Sequence, residues 1–421
     1  MSVYRLDGQV MRYDWGSPTV IPELLGLAAD GRPVAELWMG AHAAAPSHIK
    51  ADDGAAAPGG TLADLIAADP ERLLGAETVA RSGPTLPFLL KLLAVERPLS
   101  LQAHPSLAQA QAAFAAEDAA GLAPDSPERN YKDANHKPEM VCALTPFDGF
   151  FGFRPVVQTA EFWRALDVAG LLALLDRLLG DGGLRDVVAA LLTMSDDAVE
   201  QLLAELVPAA RDVADSGGAW AAEARWLVRL DEQYPGDRGV ALTSLMNLVR
   251  LEPGESLFLA SGQLHGYLHG TAVELMASSD NVLRGGLTSK RVDVAELLRI
   301  LDFAEGTVEP DPGTQTAPGR LAYREHCPDF SLARLEVTAE LRVPCPAGRA
   351  QILFCTSGTA QVLENGSAAG PASAPTTLAH GAAVFVPADD AVVVGGTSPA
   401  SARVFVATTG GGAAAEPPAP R

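Results

Sequence analysis

The sequence predicts a mainly β protein with an α-helical insertion, made of two β-barrels or jelly rolls plus a helical domain. Three observations predict this architecture. Short apolar strands separated by turn residues fill the chain up to about residue 155. Apolar residues then recur at helical spacing from residue 159 to 248. The last third again alternates short strands with turns, a pattern typical of a β-sandwich or barrel.

The first part of the chain combines strands with two helices. Strand patterns lie at residues 34–40, 86–95, 99–103 and 147–153, and a further strand is expected through Glu139. Thr61 is typical of a helix N-cap, with Asp64 in the first turn. An alanine- and glutamine-rich helix is expected at residues 107–120.

The middle of the chain is expected to be an all-helical insertion of about ninety residues packed against the strand-rich body. One stripe, interpreted as a single helix, contains Phe162, Leu166, Ala169, Leu172, Leu175 and Leu179. Ser195 is expected to cap another helix. The apolar stripes of the insertion indicate that these residues form its core rather than a surface for a partner.

Strands resume after the insertion. They are expected at residues 256–260, 272–277, 351–356, 360–363, 382–386, 391–394 and 403–407. The glycine-rich stretch 262–270 is interpreted as a turn, and residues 293–301 as a helix. The Gly/Ala/Pro-rich tail at 410–421 is expected to be disordered.

Composition narrows the function classes. The chain has 421 residues, with 31 Lys+Arg against 52 Asp+Glu and a net charge of -21. This charge argues against a nucleic-acid partner or an anionic membrane surface. The 4 cysteines form no CxxC pair and are too few for a disulfide scaffold. Because no signal segment and no long apolar run is present, a soluble, cytoplasmic protein is expected.

Four residues predict a metal site. Gln102 and His104 lie two apart, so a strand presents both side chains on one face. Glu139 and His265 lie in two later polar stretches, His136-Lys-Pro-Glu-Met140 and Gly262-Gln-Leu-His-Gly-Tyr267. Gly254, Ala260, Gly262 and His265 nearly reproduce the second cupin motif, and Gln102, His104 and Glu139 occupy the first. The four ligands suit one Zn²⁺ or a similar divalent ion per chain.

The charge of this ligand set favours catalysis over structure. Two neutral imidazoles, a neutral amide and one carboxylate leave a divalent ion with net positive charge. Such an ion can polarise a substrate oxygen or acidify a bound water. The C-terminal barrel, by contrast, has Cys355 but no histidine where ligands would stand, and is expected to bind no metal.

Longer stretches resemble the type I mannose-6-phosphate isomerases. The resemblance rests on Ala35-Glu-Leu-Trp-Met-Gly40, Pro98-Leu-Ser-Leu-Gln-Ala-His-Pro105, Asn135-His-Lys-Pro-Glu-Met140 and Val273-Glu-Leu-Met-Ala-Ser-Ser-Asp-Asn-Val-Leu-Arg-Gly-Gly-Leu-Thr288. It implies two cupin-type β-barrels or jelly rolls plus a helical domain. The resemblance divides the catalytic cupin into a first part at 1–155 and a second part at 250–310, with the helical domain between them at 156–249. A C-terminal cupin-like domain without metal follows at 311–409, and the disordered tail at 410–421.

The resemblance also implies site residues. The family's zinc ligands fall on Gln102, His104, Glu139 and His265, and its catalytic arginine falls on Arg284. Further expected catalytic residues are Lys137, His136, Asp280 and Glu274. Expected substrate-binding residues are Lys91, Ser100, Tyr267 and Lys290.

The implied reaction interconverts mannose 6-phosphate and fructose 6-phosphate through an enediol(ate), with a proton moving between C1 and C2. The metal and Arg284 can stabilise the developing oxyanion. The base could be Glu274, Asp280, His136 or a hydroxide on the metal, and the sequence does not choose among them. Because no glycine-rich phosphate loop exists, Ser100, Lys290 and neighbouring cations are expected to hold the phosphate.

Two other functions compete with this interpretation: another metal-dependent cupin enzyme such as an oxygenase, and a non-catalytic sugar-phosphate-binding cupin. Full four-ligand occupancy argues against the oxygenase, which usually needs open sites. Arg284, Lys137 and Asp280 beside an intact ligand set argue against the non-catalytic protein. Glu36 and Trp38 are interpreted as packing residues, and His42 as a surface or satisfied histidine. A monomer acting on a small sugar phosphate is expected.

Overall fold

The computed structural model describes residues 3–50, 60–123, 125–364 and 374–411. The expected disorder of the tail lies almost entirely outside these residues. The elements up to residue 153 are β1 (Tyr4–Asp7), β2 (Gln9–Met11), α1 (Val20–Leu24), β3 (Glu36–Gly40), β4 (His48–Ile49), α2 (Leu62–Ala68), α3 (Pro70–Leu74), α4 (Ala76–Ser82), β5 (Phe88–Val95), β6 (Leu101–Ala103), α5 (Leu107–Ala119), β7 (Glu139–Ala143) and β8 (Phe147–Phe153).

The helical insertion follows as α6 (Val156–Leu166), α7 (Ala169–Leu172), α8 (Leu175–Leu178), α9 (Gly183–Thr193), α10 (Asp196–Ser216), α11 (Ala221–Gln233) and α12 (Gly239–Thr243). The single helix expected from residue 162 to 179 is wrong, because these residues form α6, α7 and α8. Asp167 ends α6 in the left-handed conformation at φ 52°, which a short polar residue tolerates. Ser195 caps α10 as expected.

The remaining elements are β9 (Met246–Leu251), β10 (Ser256–Leu259), β11 (His265–Ala277), β12 (Leu283–Gly286), α13 (Val294–Ile300), β13 (Thr314–Ala317), β14 (Arg320–Ala322), β15 (Ser331–Val337), β16 (Val343–Cys345), β17 (Gln351–Ser357), β18 (Thr359–Glu364), β19 (Thr376–Ala379), β20 (Ala383–Val386), β21 (Val392–Gly396) and β22 (Ala402–Thr408). The turn expected through residue 270 is partly wrong, because β11 already begins at His265. Gly270, at φ 125°, packs against the backbone of Pro146 and so keeps the strand continuous.

β11 is the central strand of the first barrel. It pairs with β5 and β7 in one half of the barrel and with β6 and β8 in the other. On β5 the even-numbered residues from Phe88 to Ala94 pack towards the C-terminal sheet. Lys91 and Leu93 therefore face the barrel interior, because alternate residues of a strand point in opposite directions.

The C-terminal third forms a second β unit. Its strands lie in an 8-stranded sheet, β13-β14-β15-β22-β17-β20-β1-β4, and a 4-stranded sheet, β16-β21-β18-β19. A core of Leu, Val, Ala and Cys side chains lies between the two sheets. The mainly β architecture with a helical region is thus confirmed. The boundaries after residues 155, 249 and 310 remain our proposal, and β1 and β4 contribute to the C-terminal sheet from the other end of the chain.

Candidate active site

A pocket opens into the first barrel between β3, β5, β6, β7 and β11. It brings together eight of the residues expected from the sequence, which are Lys91, Ser100, Gln102, Lys137, Glu139, His265, Glu274 and Tyr267. Glu36, Leu93, Leu99 and Gly266 also line it. Because these strands alternate inward polar and outward apolar residues, the polar side chains converge on one point of the barrel interior.

His104, Glu139 and His265 meet in this region with ligand atoms all within 4.8 Å of one another. The Glu139 carboxylate lies between the two imidazoles. Its Oε1 is 3.4 Å from His104 Nε2 and its Oε2 is 3.3 Å from His265 Nε2. All three residues are buried, so water cannot easily screen or satisfy these groups.

The other ring nitrogen of each histidine is held by a backbone carbonyl. His104 Nδ1 lies 2.7 Å from Asn281 O, and His265 Nδ1 lies 3.0 Å from Gln263 O. Each Nδ1–H therefore donates outward, and each Nε2 lone pair points at the carboxylate. Within the described chain, His104 Nε2 is buried without a hydrogen-bond partner. Two lone pairs and a carboxylate facing one another fit a divalent cation between them.

Gln102 completes the candidate ligand set from β6. Its main chain is directly opposite His265 on β11 and Arg284 on β12. Its Nε2 donates to Ser100 Oγ at 3.3 Å. That bond leaves the amide oxygen as the atom that Gln102 can offer to a metal.

Lys137 places a second charge against the ligand set. Its Nζ lies 2.9 Å from Glu139 Oε1, because residues two apart in an extended segment share a face. Burial alone would raise the pKa of Glu139, but Lys137 and His104 lower it well below its usual range. Burial lowers the pKa of His104 to about 4, so this imidazole is neutral and able to bind a metal at neutral pH.

Lys91 forms a buried network on the opposite wall. Its Nζ is 3.1 Å from Glu274 Oε2, 3.8 Å from Glu36 Oε1 and 5.0 Å from the centre of the Trp38 ring. Tyr267 donates its hydroxyl to Glu274 Oε1 at 2.9 Å. Burial would lower the pKa of Lys91, but Glu36 and Glu274 raise it, so the lysine stays charged. Burial in turn raises the pKa of Glu274.

Five expected residues lie outside the pocket lining: His104, described above, and His136, Asp280, Arg284 and Lys290. His136 Nε2 is 3.0 Å from Asp329 Oδ2, a residue of the C-terminal unit, and both are buried. Asp280 is about half-exposed, with Oδ1 3.6 Å from His42 Nε2. Arg284 is partly buried and, in the part of the chain described, has no carboxylate within 4 Å. Its charge, together with burial, lowers the pKa of Lys290.

The pocket also contains residues that the sequence interpretation treated as packing. Glu36 lines it and accepts a hydrogen bond from Trp38 Nε1 at 2.5 Å. His42, interpreted as a surface or satisfied histidine, is buried at 5.1 Å from the Trp38 ring. The alternation of side chains along a strand could have shown that Glu36 and Trp38 share the face of Lys91, because they lie two apart on the strand beside it.

Comparisons with known proteins show the family to which the chain belongs. A family model described as the catalytic domain of type I phosphomannose isomerase matches residues 3–156. Mannose-6-phosphate isomerase of Escherichia coli is 36% identical over 411 residues, covering 95% of this chain and 99% of that protein. The enzyme of Salmonella typhimurium is 35% identical over 411 residues, with the same coverage.

Solved structures of mannose 6-phosphate isomerase are similar to this chain in fold. The crystal structure of mannose 6-phosphate isomerase from Salmonella typhimurium bound to fructose 6-phosphate and zinc has a TM-score of 0.84 and 31% identity. The match covers 97% of this chain and 100% of the Salmonella typhimurium chain. A zinc-bound structure of mannose 6-phosphate isomerase also has a TM-score of 0.84, at 32% identity.

Proposed function

Because the chain belongs to the type I mannose-6-phosphate isomerase family, we propose roles for the individual side chains of a metal-dependent aldose–ketose isomerase. The enzyme interconverts mannose 6-phosphate and fructose 6-phosphate by proton transfer between C1 and C2. The observation that carries the assignment of the site is the His104, Glu139 and His265 cluster, which shares one barrel interior with Lys91 and Lys137.

Zinc would be held by Gln102, His104, Glu139 and His265. When bound, the metal supplies a positive charge that polarises the carbonyl and hydroxyl oxygens of the sugar. The support is the chemistry of the donors: two neutral imidazoles with fixed tautomers, an amide oxygen and one carboxylate.

Glu274 is the residue to which we assign the proton transfer. It lines the pocket, whereas Asp280 is about half-exposed and His136 is directed at Asp329. Its pKa is raised by burial, which brings the carboxyl closer to the pH at which a base both accepts and returns a proton. One carboxylate between two adjacent carbons can remove the proton from one and deliver it to the other.

The cations have separate tasks in this assignment. Lys137 projects into the pocket beside Glu139 and would donate to the oxygen that gains charge in the enediolate. Lys91 holds Glu274 in place and neutralises it between turnovers. Arg284, which has no carboxylate partner among the described residues, is available to the same oxyanion or to the phosphate. Ser100 and Lys290 would bind the phosphate, and Tyr267 would orient Glu274.

The test combines turnover with isotope exchange. A coupled assay with mannose 6-phosphate, with and without a chelator, should show activity that disappears with the metal. In D₂O the wild-type product should carry deuterium at the carbon that receives the proton, to the extent that Glu274 exchanges with solvent. Glu274→Gln should lose isomerisation and exchange together, because an amide cannot accept the proton. Full activity in Glu274→Gln would return the choice to Asp280, His136 or a hydroxide on the metal.

We also propose that the chain works as a monomer in the cytoplasm. All of the pocket residues come from one chain, and the net charge of -21 disfavours association with anionic surfaces. Within the described residues, no helix has the length and apolar character needed to cross a membrane. Analytical ultracentrifugation of the zinc-loaded enzyme would test the oligomeric state.

A further inference from the structure

The turn between α11 and α12, residues 234–238, is where the helical insertion meets the substrate side of the barrel. Its sequence is Tyr234-Pro-Gly-Asp-Arg238. Two of its side chains leave the insertion and bind backbone groups of two separate barrel segments. These contacts have no part in the reaction chemistry assigned above.

Asp237 binds the segment that follows Arg284. Its Oδ1 accepts the Gly239 N–H at 2.7 Å, and its Oδ2 accepts the Thr288 N–H at 2.9 Å. Thr288 Oγ1 in turn accepts the Lys290 N–H at 3.1 Å. One carboxylate therefore joins the start of α12 to the loop that connects Arg284 with Lys290.

A close contact between Gly239 and Gly286 also connects the start of α12 to this loop. A Cβ on Gly239 would lie 2.7 Å from Leu287 N, and a Cβ on Gly286 would lie 2.6 Å from Gly239 Cα. Gly286 has φ 137° and Leu287 has φ 54°, a conformation that a leucine rarely adopts. Such a backbone persists only where surrounding contacts hold it, and here the contacts come from the helical insertion.

Tyr234 binds a second segment of the site. Its hydroxyl donates to the Pro98 carbonyl at 2.7 Å. Pro98 is followed by Leu99 and Ser100, which line the pocket. The same turn therefore holds the Ser100 segment on one side and the Arg284–Lys290 loop on the other.

Arg284 and Lys290 need such support because their charges repel each other. The Arg284 charge lowers the pKa of Lys290, and in the described residues neither cation has a carboxylate within 4 Å. A loop with two unneutralised cations spreads apart unless it is held, or unless an anion lies between them. The phosphate of the substrate is an anion of suitable charge.

We propose that Tyr234 and Asp237 are positioning residues, through which the helical insertion holds the phosphate-binding residues Ser100 and Lys290 in place beside Arg284. This inference rests on the roles proposed above for those three residues. It assigns a function to the insertion: β6 and β12 pair with each other in the barrel, and the insertion fixes the chain beyond that pair, at Pro98 and at Thr288. Pre-organisation strengthens binding because less ordering remains to be done when the ligand arrives.

The experiment compares Asp237→Ala and Tyr234→Phe with Arg238→Ala in the zinc-loaded enzyme. Arg238 is the matched control because it belongs to the same turn but binds only within the insertion, at Leu192 O, Met194 O and Asp196. For each variant we would measure kcat and KM with mannose 6-phosphate, and the inhibition constant of inorganic phosphate. Zinc content and thermal midpoint are measured in parallel.

Asp237→Ala should raise both KM and the phosphate inhibition constant about tenfold, and Tyr234→Phe about threefold, with kcat changed less than KM. Arg238→Ala should lower the thermal midpoint while leaving both constants unchanged. Unchanged constants in the first two variants, or equal increases in Arg238→Ala, would overturn the inference. If Asp237→Ala does not fold, Tyr234→Phe decides. Turnover by the wild-type enzyme in the same assay tests the proposed function separately.

Discussion

His104 donates its Nδ1 proton to the main-chain carbonyl of Asn281 across 2.7 Å, and the same Asn281 holds the segment leading to Glu139. Its side-chain Oδ1 accepts the Lys132 N–H at 2.7 Å, and its Nδ2 donates to the carbonyls of Asp133 and Asn135, each at 2.8 Å. Asn281 is almost fully buried. One residue thus sets the tautomer of one candidate ligand and the position of another.

Asn281→Ala keeps the main-chain carbonyl that binds His104 but removes the side chain that holds residues 132–135, so we expect it to weaken zinc binding by about tenfold through displacement of Glu139. The measurement is a competition titration against a chelator, with the absorption spectrum of the cobalt-substituted protein as a second probe of ligand geometry. Gln351→Ala is the control, because Gln351 is also buried and its Nε2 donates to a main-chain carbonyl, Pro346 O, in the C-terminal unit. Equal zinc affinity in the two variants would mean that Asn281 has only a structural role.

Metal removal should abolish isomerisation, and zinc or another divalent ion should restore it. Glu139→Ala removes the only charged ligand and should sharply reduce the metal bound, since ligand charge provides much of the affinity. Elemental analysis after gel filtration is the measurement, and exposed Glu161→Ala is the control. Full metal content in Glu139→Ala would contradict the ligand assignment.

The same analysis should find one metal per chain in the wild type. The C-terminal unit encloses side chains such as Leu353, Cys355 and Val404 rather than a set of nitrogen and oxygen donors. A second equivalent of tightly bound zinc that survives Glu139→Ala would place a metal in the C-terminal unit after all.

The convergence of His104, Glu139 and His265 could be predicted from the sequence because these residues lie in short, residue-specific motifs. Gln102 and His104 share a strand face, and Glu139 and His265 follow recognisable local patterns. The strands at Gln102 and Glu139 were also predictable, but His265, with which β11 begins, was assigned to a turn. The fold class followed from the same patterns.

The contacts between distant segments could not be predicted in this way. No local pattern in the sequence indicates that Asp329, in the C-terminal unit, would bind His136, or that Asp237 would bind Thr288. Each pair is brought together by packing of whole units rather than by local propensity. Helix periodicity likewise did not reveal the break at Asp167, because apolar spacing continues across it while the backbone does not.

Lys91→Met should lower the free energy of unfolding by about 3 kcal/mol or more, because it leaves Glu36 and Glu274 buried without their cation. The loss should depend on pH. Lys91 lowers the pKa of Glu274, so its removal raises a pKa that burial already raises. A carboxyl with a raised pKa in the folded state contributes stability below its unfolded pKa, and that contribution disappears as the pH rises through the folded value.

The destabilisation by Lys91→Met should therefore be smaller at about pH 5 than at about pH 8, near and above the ordinary range of a glutamate. Urea unfolding of metal-free protein at both pH values measures it. Adding Glu274→Gln to the variant should remove most of the pH dependence. A loss that is the same at both pH values would show that Glu274 does not change its charge in response to Lys91.

The kinetics of Arg284 variants can distinguish stabilisation of the transition state from simple binding of the phosphate. Its guanidinium is partly buried, which lowers its pKa without discharging it, and Asp280 does not pair with it in the structure. A cation kept free of carboxylates beside the candidate ligand Gln102 is well placed to meet an anion. Arg284→Ala should reduce kcat by about a hundredfold or more and raise KM far less, if the guanidinium acts on the enediolate.

Arg284→Lys should recover little of that activity, because a point charge cannot replace two parallel N–H donors. Zinc content should stay unchanged in both variants, since an arginine is not a ligand, and this separates loss of the guanidinium from loss of the metal. Steady-state kinetics with mannose 6-phosphate and elemental analysis provide the comparison. A variant with near-normal kcat and only a raised KM would assign Arg284 to the phosphate, beside Lys290, and would leave Lys137 as the main cation at the enediolate.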